Sequence, residues 1–527
     1  MGVYIYLSIS KSVTKDEWGM AYEKTLKLVE AFPLVEIRKT KVQGIPLFCL
    51  VKSREQWNSY GWNQEHKWQG WRVAGDSVTL RTAETYSLPR NLVEEKQFDK
   101  EAGDAAFTEA CSMLFREKES GKVYHLWGAK TQGEPYHIYL LAIACLLEAC
   151  LGSKAYVSGD ITPGQCRKAS RLASTYLPEP VPVLDSCDMK RWYTRIQRWP
   201  ISDVKKLHAF EAMYLGEKGA AFGAFLRQNF PEEVCREYWK ARFQKSPPDT
   251  YNFAKVVQEY LAWGFDLQEL CDLISFDDHG ETPSAYEKLI NAVLDTGVYR
   301  PDQKSNVCAP IDLDAEEPYG IEAVFAQIFA GDHTKEVDRY IPMDQIRAQL
   351  AAGMRGRCDV DGLIEKYQQK TVHNGSSRAE NEVQRIIREE MENRQEDIER
   401  YDITQSKELP WYHAGDRIHP RVLQLLKTLR WHYETLAKED LFAELMKHPA
   451  GDRCRWLTNN NRNVEMRDVD WEKIFTDIKS TPGSFARYYP MARLQLNAYE
   501  LAVVVRSLML NDGLYAFFQS LAPECEQ

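Results

Sequence analysis

The chain has 527 residues, enough for about two to four domains that each bury a core. Its 44% hydrophobic and 27% charged residues are ordinary globular proportions and exclude a wholly disordered or collagen-like chain. A formal net charge of −10 disfavours a dominant nucleic-acid surface, because phosphate contacts need clustered Lys and Arg.

Val3, Ile5, Leu7 and Ile9 alternate with Tyr4, Tyr6 and Ser8, the period of a half-buried strand. No basic and apolar leader with a cleavage site precedes this strand, and Tyr6 stands where a myristoylation signal wants Ser or Thr. A soluble, cytoplasmic chain with no membrane contact is the expectation. Thr14-Lys15-Asp16-Glu17 is a capping box, in which hydroxyl and carboxylate satisfy orphan backbone donors. The helix it opens carries Trp18, Tyr22, Leu26 and Val29 on one stripe and stops at Pro33. Val35–Val42 and Pro46–Lys52 flank Gln43-Gly44 and predict a hairpin, giving a β-α-β-β start.

Residues 53–98 are irregular and hold Trp57, Trp62, Trp68 and Trp71, with a strand pair expected at Trp71–Ala74 and Ser77–Thr82. Asp104–Glu117 is helical in pattern. Gly133–Thr175 is the best specified block: an apolar run over Ile138–Leu151, a β-like run ending at Ser158-Gly159-Asp160, and an amphipathic run. That order predicts a buried helix, an adjoining strand and a covering helix. The apolar run is short for a bilayer span and carries Glu148.

Pro178-Glu179-Pro180-Val181-Pro182 is a stiff connector and marks a boundary. Helical patterns follow at Asp203–Leu215, Ala220–Asn229, Glu232–Phe243, Thr250–Trp263, Asp266–Leu273 and, behind the Ser284 cap, Ala285–Asp295. Residues 298–318 lack periodicity and mark a second boundary. Beyond it, Ala379–Tyr401 sets Val383, Ile387, Met391 and Ile398 in a narrow seam among Glu and Arg, a pattern suited to a partner helix. Helices are also expected at Pro420–Leu436, Trp471–Ile478 and Leu494–Leu510. The fold class is therefore α+β and multidomain: a mixed region over 1–177, a helical domain over 183–300 and a C-terminal helical domain over 319–527.

The 12 cysteines are scattered without any C-x-x-C pair, so neither zinc nor a disulfide framework is expected. G-x-S-x-G, H-E-x-x-H and a strand-linked G-x-G-x-x-G are absent, and no cofactor is expected. Asp160, at the end of its strand, is where α/β enzymes often place a functional carboxylate, but Asp160 and Thr162 are better explained as the cap of the helix starting near Pro163. The segment Tyr124–His137 brings Lys130, His125 and His137 close to that junction as a loop that could bind an anion at the next helix N-terminus. Asp277–Glu281 and the histidines His413, His419, His432 and His448 are better explained as a turn and as packed side chains than as metal sites.

The tryptophans admit two readings: rings covering a small sheet, or a recognition surface in which aromatics supply binding energy at low entropic cost. With aromatic and seam-like surface but no reaction centre, the expectation is a non-catalytic interaction protein. It would be a subunit or adaptor of a multi-protein assembly, such as a bacterial defence or immunity module, with a protein partner. A hydrolase or transferase centred on Asp160 and residues 124–137 is the alternative, and a nucleic-acid-binding subunit the next.

Overall fold

The computed structural model describes residues 2–59, 67–92, 98–116, 122–250, 252–274, 276, 284–301, 312–320, 337, 339–373, 409–461, 465–494 and 499–524. In chain order the elements begin with β1 (Tyr4–Ser10), α1 (Lys15–Ala31), β2 (Leu34–Val42), β3 (Ile45–Lys52), β4 (Gln56–Ser59), β5 (Lys67–Asp76) and β6 (Thr82–Pro89). Then come α2 (Ala105–Met113), β7 (Val123–Lys130), α3 (Tyr136–Leu151), β8 (Ala155–Gly159) and α4 (Pro163–Tyr176). Among the described residues only helices and short turns follow: α5 (Met189–Gln197), α6 (Asp203–Met213), α7 (Ala220–Asn229), α8 (Glu232–Lys245), α9 (Phe253–Ala262), α10 (Leu267–Leu273), α11 (Ala285–Asp295), α12 (Met343–Met354) and α13 (Val360–His373). The last are α14 (Pro420–Leu436), α15 (Asp440–Lys447), α16 (Ala450–Asn460), α17 (Asp468–Ser480), α18 (Phe485–Arg493), α19 (Tyr499–Leu510) and α20 (Asp512–Ser520). The fold class is α+β, sheets first and helices after. The seam expected over Ala379–Tyr401 and the turn Asp277–Glu281 lie outside the described residues.

Two compact units emerge, Met1–Ala31 with Leu88–Gln384 and Phe32–Ser87 with Arg385–Gln527. The Pro178–Pro182 stretch thus falls inside the first unit. The β-α-β-β order is present in the chain, but β1 and the β2–β3 hairpin belong to different sheets.

In the first unit β1 is the central strand of an antiparallel sheet ordered β7-β1-β8. Ile5, Leu7 and Ile9 are fully buried on one face, as their alternation requires. The capping box forms as read: Thr14 N–H donates to Glu17 Oε2 at 2.8 Å and Glu17 N–H to Thr14 Oγ1 at 3.2 Å. α3 is apolar on nearly every side and buried accordingly. With its following turn, Tyr136–Lys154, it is 19 residues long and apolar enough to cross a membrane, longer than the run counted in the sequence. Its apolar window is 72% buried inside the protein, as a core helix is.

Arg195 ties this unit together. Its guanidinium meets Asp104 through Nε and Nη2, both at 2.9 Å, and also donates to Ser153 O and Ala155 O at 3.0 and 2.8 Å. Asp104 at the same time caps α2 by accepting from Ala106 N–H and Phe107 N–H. One buried ion pair therefore joins α5, the start of α2 and the start of β8. Glu148, buried on α3, accepts from Asp185 N–H at 2.7 Å. Burial pushes its carboxyl up to about 7, against the pull of Arg195 and with the help of Asp185. α5 to α13 supply an aromatic-rich core around Trp192, Phe210, Phe222, Trp239 and Trp263, which Ala105, Ala106 and Ala110 of α2 and Tyr156 of β8 join.

In the second unit β2 and β3 pair from Val35↔Lys52 to Val42↔Ile45. Gln43 and Gly44 both adopt left-handed backbone (φ 48° and 84°), the two-residue turn that matches strand twist. Val42, Ile45, Leu47 and Cys49 share a core with Trp471, Ile474 and Phe475 of α17. Lys479 donates to Gln43 Oε1 at 2.6 Å and pins the hairpin tip to the same helix. β5 is longer than expected and the turn to β6 falls at residues 77–81, after Asp76 rather than at Gly75-Asp76. Asp76 makes that turn by accepting from Val78 N–H at 2.9 Å and Thr79 N–H at 2.7 Å.

Candidate functional site

The β2–β3 hairpin has apolar residues on both faces. Strand alternation sends Val42, Ile45, Leu47 and Cys49 into the core and leaves Ile37, Lys39, Lys41, Pro46 and Phe48 on the outer side. Phe48 is 67% exposed and Ile37 39%. They are near-diagonal partners, since Lys39 pairs with Phe48 and Ile37 with Leu50. The sheet runs β3-β2-β5-β4, with Trp57 of β4 opposite Gln69 of β5, and the Gln56 amide reaches the Glu36 carboxylate on the inner side. The next residue of each strand, Trp57 and Ile37, accordingly projects to the opposite, outer side, and Trp57 is 67% exposed.

Three large apolar side chains and two lysines thus share one outer face of the second unit. Residues 32–87 carry eight Lys and Arg against five Asp and Glu, a net +3 within a chain of −10. Glu36 on the inner side is buried, which pushes its carboxyl up, with Gln56, Arg38, Arg72 and Arg54 pulling the other way.

The tryptophans proposed for binding divide. Trp57 is on this face. Trp71 is fully buried, a core ring that no partner can reach, and Trp68 is half-buried. Trp62, with Val383, Ile387, Met391 and Ile398, lies outside the described residues. Sequence reasoning missed Ile37, Phe48, Lys39 and Lys41. The signal was available in Ile45–Val51, which is apolar throughout and cannot bury both faces against one layer of helices.

The proposed catalytic residues do not converge as a set. The segment 124–137 is not a loop: Val123–Lys130 is strand β7, followed by a turn at Thr131–Gly133. Lys130 pairs with Tyr4 and holds its Nζ 5.7 Å from the Tyr4 ring centre. Asp160 is not the cap of α4. Its Oδ2 accepts from Tyr4 N–H at 2.9 Å while its own N–H donates to Tyr4 O at 3.0 Å, so it closes the β1–β8 pair. Burial raises its carboxyl against the pull of that bond. Thr162 caps α4 as expected, in a capping box with Gln165.

The junction above Asp160 is already occupied by the chain itself. The stretch 312–320 runs along α4, with Leu313 O accepting from Gly164 N–H at 2.9 Å and Glu317 O from Gln165 Nε2 at 3.0 Å. Arg167 pairs with Asp314 at 2.5 Å and Arg171 with Glu316 at 2.7 Å. Gly133 (φ 74°) lets this stretch close in, for a Cβ there would fall 2.2 Å from Tyr319 O. His137 is wholly buried beneath, its Nδ1 2.7 Å from Thr131 Oγ1. Burial pushes it down to about 4, against the pull of Gln165, so it is a neutral packing group.

His125 differs. A bulge at Leu126 shifts the β1–β7 register and sets His125 opposite Ser8. His125 Nδ1 lies 3.1 Å from both Ser8 Oγ and Glu109 Oε1, while Ser8 Oγ donates to Glu109 at 2.6 Å. A charge relay needs the histidine to bridge nucleophile and acid through its two different nitrogens. Here one nitrogen meets both, so Ser8 is not an activated nucleophile. The His125 side chain is 68% exposed, which leaves Nε2 for a proton from outside. Of the other histidines, His419 is buried and caps α14 by accepting from Arg421 N–H at 3.1 Å, and His413 is an exposed turn residue beside Asp416.

No protein-family model, curated protein or solved structure matches this chain.

Proposed function

We propose that the chain is an interaction subunit that docks an acidic, amphipathic segment of a partner protein on the outer face of β2, β3 and β4. The observation that carries this reading is the exposure of Trp57, Phe48 and Ile37 together, flanked by Lys39 and Lys41. Apolar side chains left in water on one side of a small sheet are costly unless something covers them, and aromatic anchors ringed by charge are the usual core of such contacts. An aliphatic anchor beside the rings favours a peptide over stacked bases.

The test is fluorescence anisotropy with a labelled peptide alternating Glu and Leu, run beside a labelled oligo-dT of the same charge. The peptide should bind, weaken with added salt, and lose at least about tenfold in affinity in Phe48→Ala/Trp57→Ala. Binding of the oligonucleotide alone would replace this reading with a single-strand nucleic-acid one. Binding of neither would remove it.

Acid–base catalysis at His125 is the second reading, supported by a ring oriented by Glu109 with its other nitrogen open. It expects hydrolysis of an activated ester that is lost in His125→Gln. Equal rates in parent and variant would end it.

A further inference from the structure

Residues 312–320 lie on the first unit as a bound peptide would. None of the nine is fully buried, so the stretch builds no core. It carries four carboxylates and no cation. It also shapes itself: Asp312 makes a turn by accepting from Asp314 N–H at 2.9 Å and, through its carbonyl, from Ala315 N–H at 3.2 Å. The other three carboxylates each meet one cation of α4, Asp314 with Arg167, Glu317 with Lys168 and Glu316 with Arg171. The start of α4 holds the backbone too. Carbonyls at alternate positions, Leu313 O, Ala315 O and Glu317 O, accept from Gly164 N–H, the Thr162 hydroxyl and the Gln165 carboxamide.

Two observations separate this contact from ordinary packing. Gly164 stands in the first turn of a helix, without left-handed backbone, where alanine would be the better helix former. What excludes a side chain is the docked stretch, for a Cβ there would fall 2.4 Å from Asp314 O and from Ala315 O. The contact is also easy to undo. Its ion pairs reach solvent, so each adds little and is screened by salt. The groups that hold its carbonyls are polar and can take water in their place.

We propose that the first turn and basic side of α4 form a recognition site for acidic peptides, with residues 312–320 as a resident ligand that yields to an acidic segment of a partner protein. Charge and backbone donors both select such an occupant. Arg167, Lys168 and Arg171 pair with carboxylates, while the Gly164, Thr162 and Gln165 donors are spaced for the carbonyls of a peptide chain. While 312–320 is in place the site is closed, so the partner's apparent affinity falls with the fraction of time that the stretch is away. This site stands whether or not the face of β2, β3 and β4 binds anything.

Gly164 reports release directly. Its N–H lies in the first turn of α4, where no helix carbonyl can accept it, so its protection from hydrogen exchange depends on Leu313 O. In the full-length Asp314→Asn/Glu316→Gln/Glu317→Gln variant that protection should fall about tenfold, because three weak ion pairs are lost together. By fluorescence anisotropy, a labelled peptide of residues 312–320 should bind this variant about tenfold tighter than the parent, and it should restore Gly164 protection. Adding Gly164→Ala should abolish that binding. Thermal unfolding checks that both forms fold, and an oligo-dT of equal charge controls for charge alone. Unchanged Gly164 protection, peptide binding that survives Gly164→Ala, or oligo-dT binding as tight as the peptide's overturns the assignment. Dimerisation of the parent as salt removes Gly164 protection would give the site to a second copy and overturn the partner.

Discussion

The two sheets of this protein are built on similar strand patterns and treated in opposite ways. β1 has every inward residue buried under helices, and the groups near its ends are bonded to the chain: Asp160 to Tyr4, His137 to Thr131, Gln165 to Glu317. The hairpin of β2 and β3 buries Val42, Ile45, Leu47 and Cys49 on one face; on the other it covers Val35 and Leu50 with Leu80 and Leu510 but leaves Ile37, Phe48 and neighbouring Trp57 exposed beside lysines. The lesson is that the residues with the most promising chemistry in the sequence serve cohesion, and the exposed rings on which the proposed docking rests lie on a sheet whose second face is only partly covered.

That contrast can be broken by substitution. Trp71 and Trp57 stand on neighbouring strands, so Trp71→Ala should cost about 3–5 kcal/mol and Trp57→Ala less than about 0.5 kcal/mol by chemical denaturation. Equal costs would mean that Trp57 is a core residue after all. Arg195→Ala leaves Asp104 buried without its cation and should also cost about 3–5 kcal/mol. Arg195→Lys should recover only part of this, because an ammonium cannot match the two-pronged contact.

A smaller effect depends on pH. Glu148 has a folded-state value raised to about 7, whereas an unfolded Glu ionises near about 4.3. The folded chain therefore keeps a proton that the unfolded chain has lost, and this contribution to stability is complete below the unfolded value and lost as pH rises toward the folded one. Glu148→Gln keeps an acceptor for Asp185 N–H and removes the charge. It should melt above the parent at about pH 8 and approach it as pH falls to about 4. Parallel melting curves at all pH would show that Glu148 is ionised and paired throughout. The smallest expected effect is on stability in Phe48→Ala/Trp57→Ala, which should unfold with the parent while losing the peptide.

Much of the architecture is legible in the sequence because local rules dominate it. The Thr14–Glu17 box, the Gln43-Gly44 turn and the apolar run of α3 each specify their element within a few residues. The sorting of β1 and the β2–β3 hairpin into different sheets is not legible, since it depends on Leu47 and Cys49 meeting Trp471 and Ile474 more than 400 residues along the chain. The site is legible in part. Trp57 could be named from composition, but register does not separate it from Trp71, since Trp57 pairs with Gln69 and Trp71 follows two residues on; their difference in burial depends on packing that the local sequence does not show. The partner that fills the Asp160 junction, residues 312–320, carries no periodicity that would reveal it.

The central claim is that the outer face of β2, β3 and β4 holds a protein partner. A photo-crosslinking residue placed at position 57, at position 48 and, as an exposed control on α1, at Met20 tests it in the native host. The account expects the same protein adduct from positions 48 and 57, its loss in Lys39→Glu/Lys41→Glu, and no such adduct from position 20. Equal labelling at all three positions, or an adduct that survives the charge reversal, would contradict it.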